Sequence, residues 1–185
     1  MKNIIWVILG VVAIFAIWVF SSYNGLVSAN EAVASQWAQV ESQYQRRFDL
    51  IPNLVASVKG IMTQEQEVFA SIADARTKYS GATTPDAKAQ AATQVESALG
   101  RLLVITENYP ELKSSANVQD LMTSLEGTEN RISVERKRYN DLVRDYNLKT
   151  KQIPSSIAAA VFGFKEHVYF EAAEGTETAP AVDLQ

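Results

Sequence analysis

Very few residues of this chain have the type and spacing that covalent chemistry needs. The 185 residues include a single histidine, His167, and no cysteine. A carboxylate-bridged di-iron bundle takes a Glu-x-x-His from each of two helices, and zinc centres take several nitrogen or sulfur ligands. One histidine supplies neither, so His167 reads as a surface or packing residue. No G-x-S-x-G turn presents a serine, and no glycine-rich loop could cradle a phosphate. The expectation is therefore a non-enzyme, with no catalytic, metal or cofactor-binding residues. The net charge of -4, from 17 basic and 21 acidic residues, lacks the basic excess that meets phosphates, which argues against a nucleic-acid partner. The missing cysteines fit an oxidising compartment.

What remains is a constellation of polar residues set into apolar patterns. Arg46, Arg47, Asp49 and Asn53 cluster in one stretch, Glu107 precedes Pro110, and Glu129, Asn130 and Arg136 follow later. Glu129 and Arg136 continue an apolar stripe that runs from Leu125 through Ile132 to Tyr139. A charge on a core stripe must be paired or must face a partner. These residues therefore read either as an internal salt-bridge network that fixes helix register, or as contacts to a ligand or subunit. Tyr139, Asn140, Tyr146 and Asn147 repeat at seven residues, two helical turns, so the pairs share a face. That pattern suits packing with hydrogen-bonded tips. The mixed run Glu135-Arg136-Lys137-Arg138 reads mostly as solvated surface.

The elements that must position these residues are helical. Glycine (8) and proline (5) are scarce, which favours helices over a turn-rich β fold. From Ile4 to Phe20, 17 residues carry no polar side chain. Extended to Tyr23, the segment makes about 30 Å of helix, the thickness of a bilayer's hydrocarbon core. Trp6, Trp18 and Tyr23 lie near its ends, as interfacial aromatics do, and Lys2 flanks it while the next basic residue is Arg46, so the N-terminus is expected inside the cytoplasm. Val27-Ser28-Ala29 resembles a signal-peptidase site, but the apolar run exceeds a signal core and an anchor is the preferred reading. Beyond it, Val33, Trp37, Val40, Tyr44 and Phe48 predict a helix over about 26–47, and its continuity with the membrane helix stays open. Asp49 and Pro52 predict a restart, with a stripe from Ile51 to Ile72 and an end near Ser80-Gly81. Thr84-Pro85-Asp86 opens a third helix, ended by Pro110. Asn117 opens a fourth, closed by Pro154. The expected fold is all-α: an N-terminal transmembrane helix, 4–23, followed by an antiparallel bundle of about four long helices within 24–171. Residues 1–3 read as a cytoplasmic stub and 172–185 as a disordered acidic tail.

The stretch 155–170 is apolar, rich in alanine and aromatics, and lacks a clear helical stripe. Ile157, Val161, Phe162, Phe164, Tyr169 and Phe170 offer much apolar area, either to cap the bundle end or to recruit another subunit.

The motifs carry a resemblance. Tyr23-Asn24-Gly25-Leu26-Val27 and Arg46-Arg47-Phe48-Asp49-Leu50-Ile51-Pro52-Asn53-Leu54-Val55 resemble signatures of the LemA family. Glu107-Asn108-Tyr109-Pro110-Glu111-Leu112-Lys113, Glu129-Asn130-Arg131-Ile132 and Tyr169-Phe170-Glu171 follow in the family's order. Small departures fall at Gly60-Ile61-Met62 and Asn108. The resemblance, over about 20–171, implies a bacterial inner-membrane protein with an antiparallel helical bundle in the periplasm or extracytoplasmic space, and implies no activity. Two roles are expected from the sequence. One is a homo-oligomeric envelope scaffold whose copies share one membrane plane. The other is a monomeric adapter for an envelope partner such as a membrane protease or secreted protein.

Overall fold

The computed structural model describes residues 2–60, 62 and 65–170. The described residues form six helices and no strand: α1 (Lys2–Lys59), α2 (Gln66–Gly81), α3 (Pro85–Thr106), α4 (Pro110–Ser114), α5 (Ala116–Lys151) and α6 (Ser155–Phe162). The expected tail, 172–185, lies outside the described residues. The chain divides into two compact units, and α1 and α5 contribute to both. One unit holds α1 as far as Val40 together with Glu135–Tyr169. The other holds Glu41–Val134 and Phe170.

The expected restart at Asp49-Pro52 does not occur. α1 is one helix of 58 residues with Pro52 inside it, so the N-terminal apolar segment and the following helix are continuous. A proline inside a helix loses one hydrogen bond and costs about 3 kcal/mol. Pro52 is exposed, however, while Tyr44, Phe48, Ile51, Leu54 and Val58 are buried in unbroken helical register around it. Burying each such side chain contributes about 1.5–3 kcal/mol, so packing outweighs the local defect. The break comes later: Lys59 is the last helical residue, Gly60 follows in a turn, and helix resumes at Gln66. Thr84 caps α3 as expected, its side chain accepting from the Ala87 backbone N–H at 3.2 Å, with Pro85 in the first turn. α3 ends at Thr106, and Pro110 opens the five-residue α4 where only a helix stop was expected.

In the unit built on Glu41–Val134, four helices alternate in direction. Glu41 pairs with Lys88 and Arg47 with Glu96; the numbers rise together, so α1 and α3 run parallel. Arg47 pairs with Glu129, and Ser57 bonds Asn117, so α5 runs against α1. Lys78 Nζ bonds Gln94, and a surface groove further along is lined by Val68 and Ser71 beside Arg101 and Val104, so α2 runs against α3. The core contains Tyr44, Phe48, Leu54, Ile72, Tyr79, Val95, Leu102 and Ile132. Tyr79 meets Phe48 edge-on, with ring centroids 4.5 Å apart.

In the other unit, Gln36 Nε2 donates to Glu135 Oε2 at 2.7 Å and Trp37 packs edge-on against Tyr139 at 5.5 Å, which ties α1 to the last part of α5. The stretch 155–170, in which no helical stripe was legible, begins as a helix: α6 turns Ala158 and Ala159 onto Leu26 of α1. Gly163, at φ 75°, ends α6 in the left-handed region that a side chain would strain. The chain then runs as an irregular strap, 164–170, alongside α5.

Candidate functional site

Arg47 is the organising residue of the candidate site. Its side chain is only 4% exposed. It sits on the buried face of α1, one residue before Phe48 in the core stripe, so its guanidinium is carried among α3 and α5. There it forms an ion pair with Glu129 of α5 and lies 3.7 Å from Glu96 of α3. Its Nε donates to the Thr128 hydroxyl at 3.4 Å, and that hydroxyl donates back to the Leu125 carbonyl at 2.7 Å. The Tyr44 hydroxyl donates to Glu96 Oε1 at 3.0 Å. Two carboxylates and a hydroxyl thus surround one buried cation, which offsets the several kcal/mol that taking an ion out of water costs.

A groove of about 590 Å³ opens over this pair. Leu54, Leu99, Leu103, Met122 and Leu125 give it apolar walls, and Arg47, Glu96, Glu129 and Asn130 give it a charged margin. The groove has room for an apolar group, with carboxylates and an amide at its rim. Among the described residues no group of three or more histidine, cysteine or carboxylate side chains is placed to hold a metal ion.

The structure brings some of the expected residues together and separates others. Arg47 and Glu129 meet, and Asn130 lines the same groove. Arg46, Asp49, Asn53 and Glu107 are exposed; Asp49 accepts a local bond from Gln45 at 2.9 Å, and Glu107 is the cap residue that ends α3. Arg136 is half-buried in the other unit. Sequence reasoning missed Glu96, Thr128 and the Tyr44 hydroxyl. Glu96 carried the same signal as Glu129, an acid on an apolar stripe: it lies four residues after buried Ala92 and three before buried Leu99. Beside the network, Tyr79 buries a hydroxyl that has no hydrogen-bond partner among the described residues. Burial, and then the charge of Glu41, push its phenol well above the usual tyrosine range.

The Tyr/Asn repeat of α5 serves the strap. Tyr146 donates to the Lys165 carbonyl at 2.9 Å. Asn147 donates to the His167 carbonyl at 2.8 Å and accepts from the His167 N–H at 2.9 Å. Tyr139 reaches the Val168 carbonyl at 3.5 Å. The His167 ring packs on Tyr146, and its Nε2 lies 2.8 Å from Asn30 Oδ1, a packing role as expected. Of the expected subunit-contact residues, Ile157, Val161, Phe162 and Tyr169 are exposed. Phe164 instead packs on the Leu26 cluster and Tyr23, and Phe170 is buried, so those two are spent within the chain.

α1 is also the one helix among the described residues that is long and apolar enough to cross a membrane. It contains an 18-residue window near the N-terminus with mean hydropathy 2.7, none of it buried. That segment makes the chain membrane-associated. Comparison with known proteins agrees with this arrangement. Magnetosome proteins MamQ 1 and MamQ 2 of Paramagnetospirillum magneticum (strain AMB-1) are each 28% identical over 190 residues, covering 89% of this chain and 70% of their own. Magnetosome protein MamQ of Magnetospirillum gryphiswaldense (strain MSR-1) is 27% identical over 174 residues, covering 80% and 64%. The LemA family profile matches residues 36–184, a span that takes in the Arg47–Glu96–Glu129 network and the strapped end of α5, and the chain belongs to the LemA family.

Proposed function

We propose that this protein is a non-enzymatic, membrane-anchored structural protein of the bacterial cell envelope that self-assembles into a homo-oligomeric scaffold. The observation that carries this reading is the continuity of α1: one helix holds both the exposed apolar segment Ile4–Phe20 and the buried stripe from Leu26 onward. Many copies held in one membrane by a helix without a joint share one orientation, and their effective concentration in that plane is high. Lys2 at the start of the segment, with no further basic residue until Arg46, orients the N-terminus to the cytoplasm and the helical units to the other side. The relatives' names attach them to the magnetosome and to no reaction, which accords with a role in building structure.

The groove over Arg47 favours a second reading, an adapter that receives an apolar group of an envelope partner. Mass measurement of the full-length protein in mild detergent, by light scattering with particle imaging, separates the two. A large, uniform particle is expected. A monodisperse monomer would sink the scaffold and leave the adapter, for which Glu129→Lys should then abolish partner capture while helicity is kept.

A further inference from the structure

Between Lys151 and Lys165 the 13 residues QIPSSIAAAVFGF carry no charge. α6, in their midst, packs Ala158 and Ala159 on Leu26 and turns the edge of Phe162 toward Tyr23. Its outer side presents Ile157 at 54% exposure and Val161 at 72%, with Ala160 between them and Phe162 beyond. Ile153, four residues before Ile157, is 83% exposed. Apolar side chains exposed together in this way mark a contact with something other than water.

The position of α6 identifies what that something is. Phe162 packs against Tyr23 with ring centroids 4.8 Å apart, and Phe164 against the same ring at 5.8 Å. Tyr23 is three residues, about 4.5 Å along the helix axis, beyond the end of the apolar run at Phe20, and Leu26 is about 9 Å beyond it. α6 therefore lies at the height where the membrane-crossing segment emerges, within the headgroup layer of the bilayer. Lys149 and Lys165 are exposed on either side of the uncharged run, as cations flank segments that lie on acidic lipid, while Lys151 is paired with Glu166 at 2.8 Å.

We propose that the outer face of α6, formed by Ile157, Ala160, Val161 and Phe162 and extended by Ile153, docks on the lipid of the same bilayer that α1 crosses. The apolar side chains reach the boundary between headgroups and acyl chains, and Lys149 and Lys165 meet lipid phosphates. α6 is then a second membrane contact, a foot beside the anchor. This rests on α1 being a retained anchor, and it assigns Ile157, Val161 and Phe162 to lipid instead of to a neighbouring subunit.

Because the chain has no cysteine, single cysteines can carry an environment-sensitive fluorophore. The full chain is reconstituted in vesicles of phosphatidylethanolamine and phosphatidylglycerol as Ile157→Cys, Val161→Cys, Ile14→Cys and Val134→Cys, and quenched either by nitroxide on the lipid or by iodide in the water. Labels at 157 and 161 should follow the lipid nitroxide, as the label at 14 does, while the label at 134 follows iodide. If those at 157 and 161 follow iodide, α6 stands in water and the proposal fails while the anchor stands. If both quenchers miss them, protein covers α6, a second copy is the occupant, and the proposal is equally overturned. If the label at 14 also follows iodide, the anchor reading itself falls and the α6 proposal with it.

Discussion

At the scale of single residues, the energetics concentrate on two buried polar groups with opposite fortunes. Arg47 is buried and paired, so its removal leaves Glu96 facing a low-polarity interior without its cation. Arg47→Ala should cost about 3–5 kcal/mol, read as a large drop in the thermal unfolding temperature of the detergent-solubilised protein. Glu129→Gln should cost much less. The Glu129 side chain is 49% exposed, so water screens the charge it loses, and Glu96 remains beside the guanidinium. Tyr79 is buried, and its hydroxyl has no hydrogen-bond partner among the described residues. Tyr79→Phe removes a hydroxyl that meets no acceptor, so stability should hold or rise. The pH dependence has a definite sign. The unfolded phenol ionises near pH 10 while the folded one keeps its proton to higher pH. Above pH 10 the unfolded state therefore binds fewer protons and native stability falls. Alkaline unfolding followed by circular dichroism should shift to higher pH in Tyr79→Phe; an unchanged midpoint would remove Tyr79 from this role. Half of this was legible beforehand. Glu129 stood out as an acid on an apolar stripe, but Arg47 was one of four polar candidates in a row, and only the packing of three helices shows which one turns inward.

At the scale of elements, the long helices were legible because each keeps its apolar period over several turns, the short α4 and α6 were not, and the other errors fell where local and distant forces disagree. Pro52 signals a helix start by its own chemistry, yet the buried side chains before and after it hold one register, and their summed burial outweighs one lost hydrogen bond. The strap was illegible for a different reason. It is held by side chains of α5 that read its backbone, and no periodicity in 164–170 reports that. Asn147 makes two bonds to His167, each contributing about 1 kcal/mol. Asn147→Ala should therefore speed hydrogen exchange of the strap amides markedly, and more than Tyr139→Phe, which loses a 3.5 Å bond to the Val168 carbonyl. Equal effects from both would contradict this ordering.

At the scale of the whole molecule, the apolar helix associates the chain with a membrane, and self-assembly there is the proposal that a mass measurement tests. The same mass measurement that tests self-assembly gains force if Arg47→Ala is included: the variant should lose thermal stability yet still assemble if the inter-copy contacts lie on the outer helix faces. In the proposed anchor, the continuity of α1 has a mechanical corollary. A helix whose apolar length exceeds the local bilayer thickness relieves the mismatch by leaning. With no loop between Phe20 and Leu26 to absorb that lean, α6 and the strap, which are packed on α1, must lean with it. The proposed anchor thereby converts bilayer thickness into the inclination of α6 and the strap.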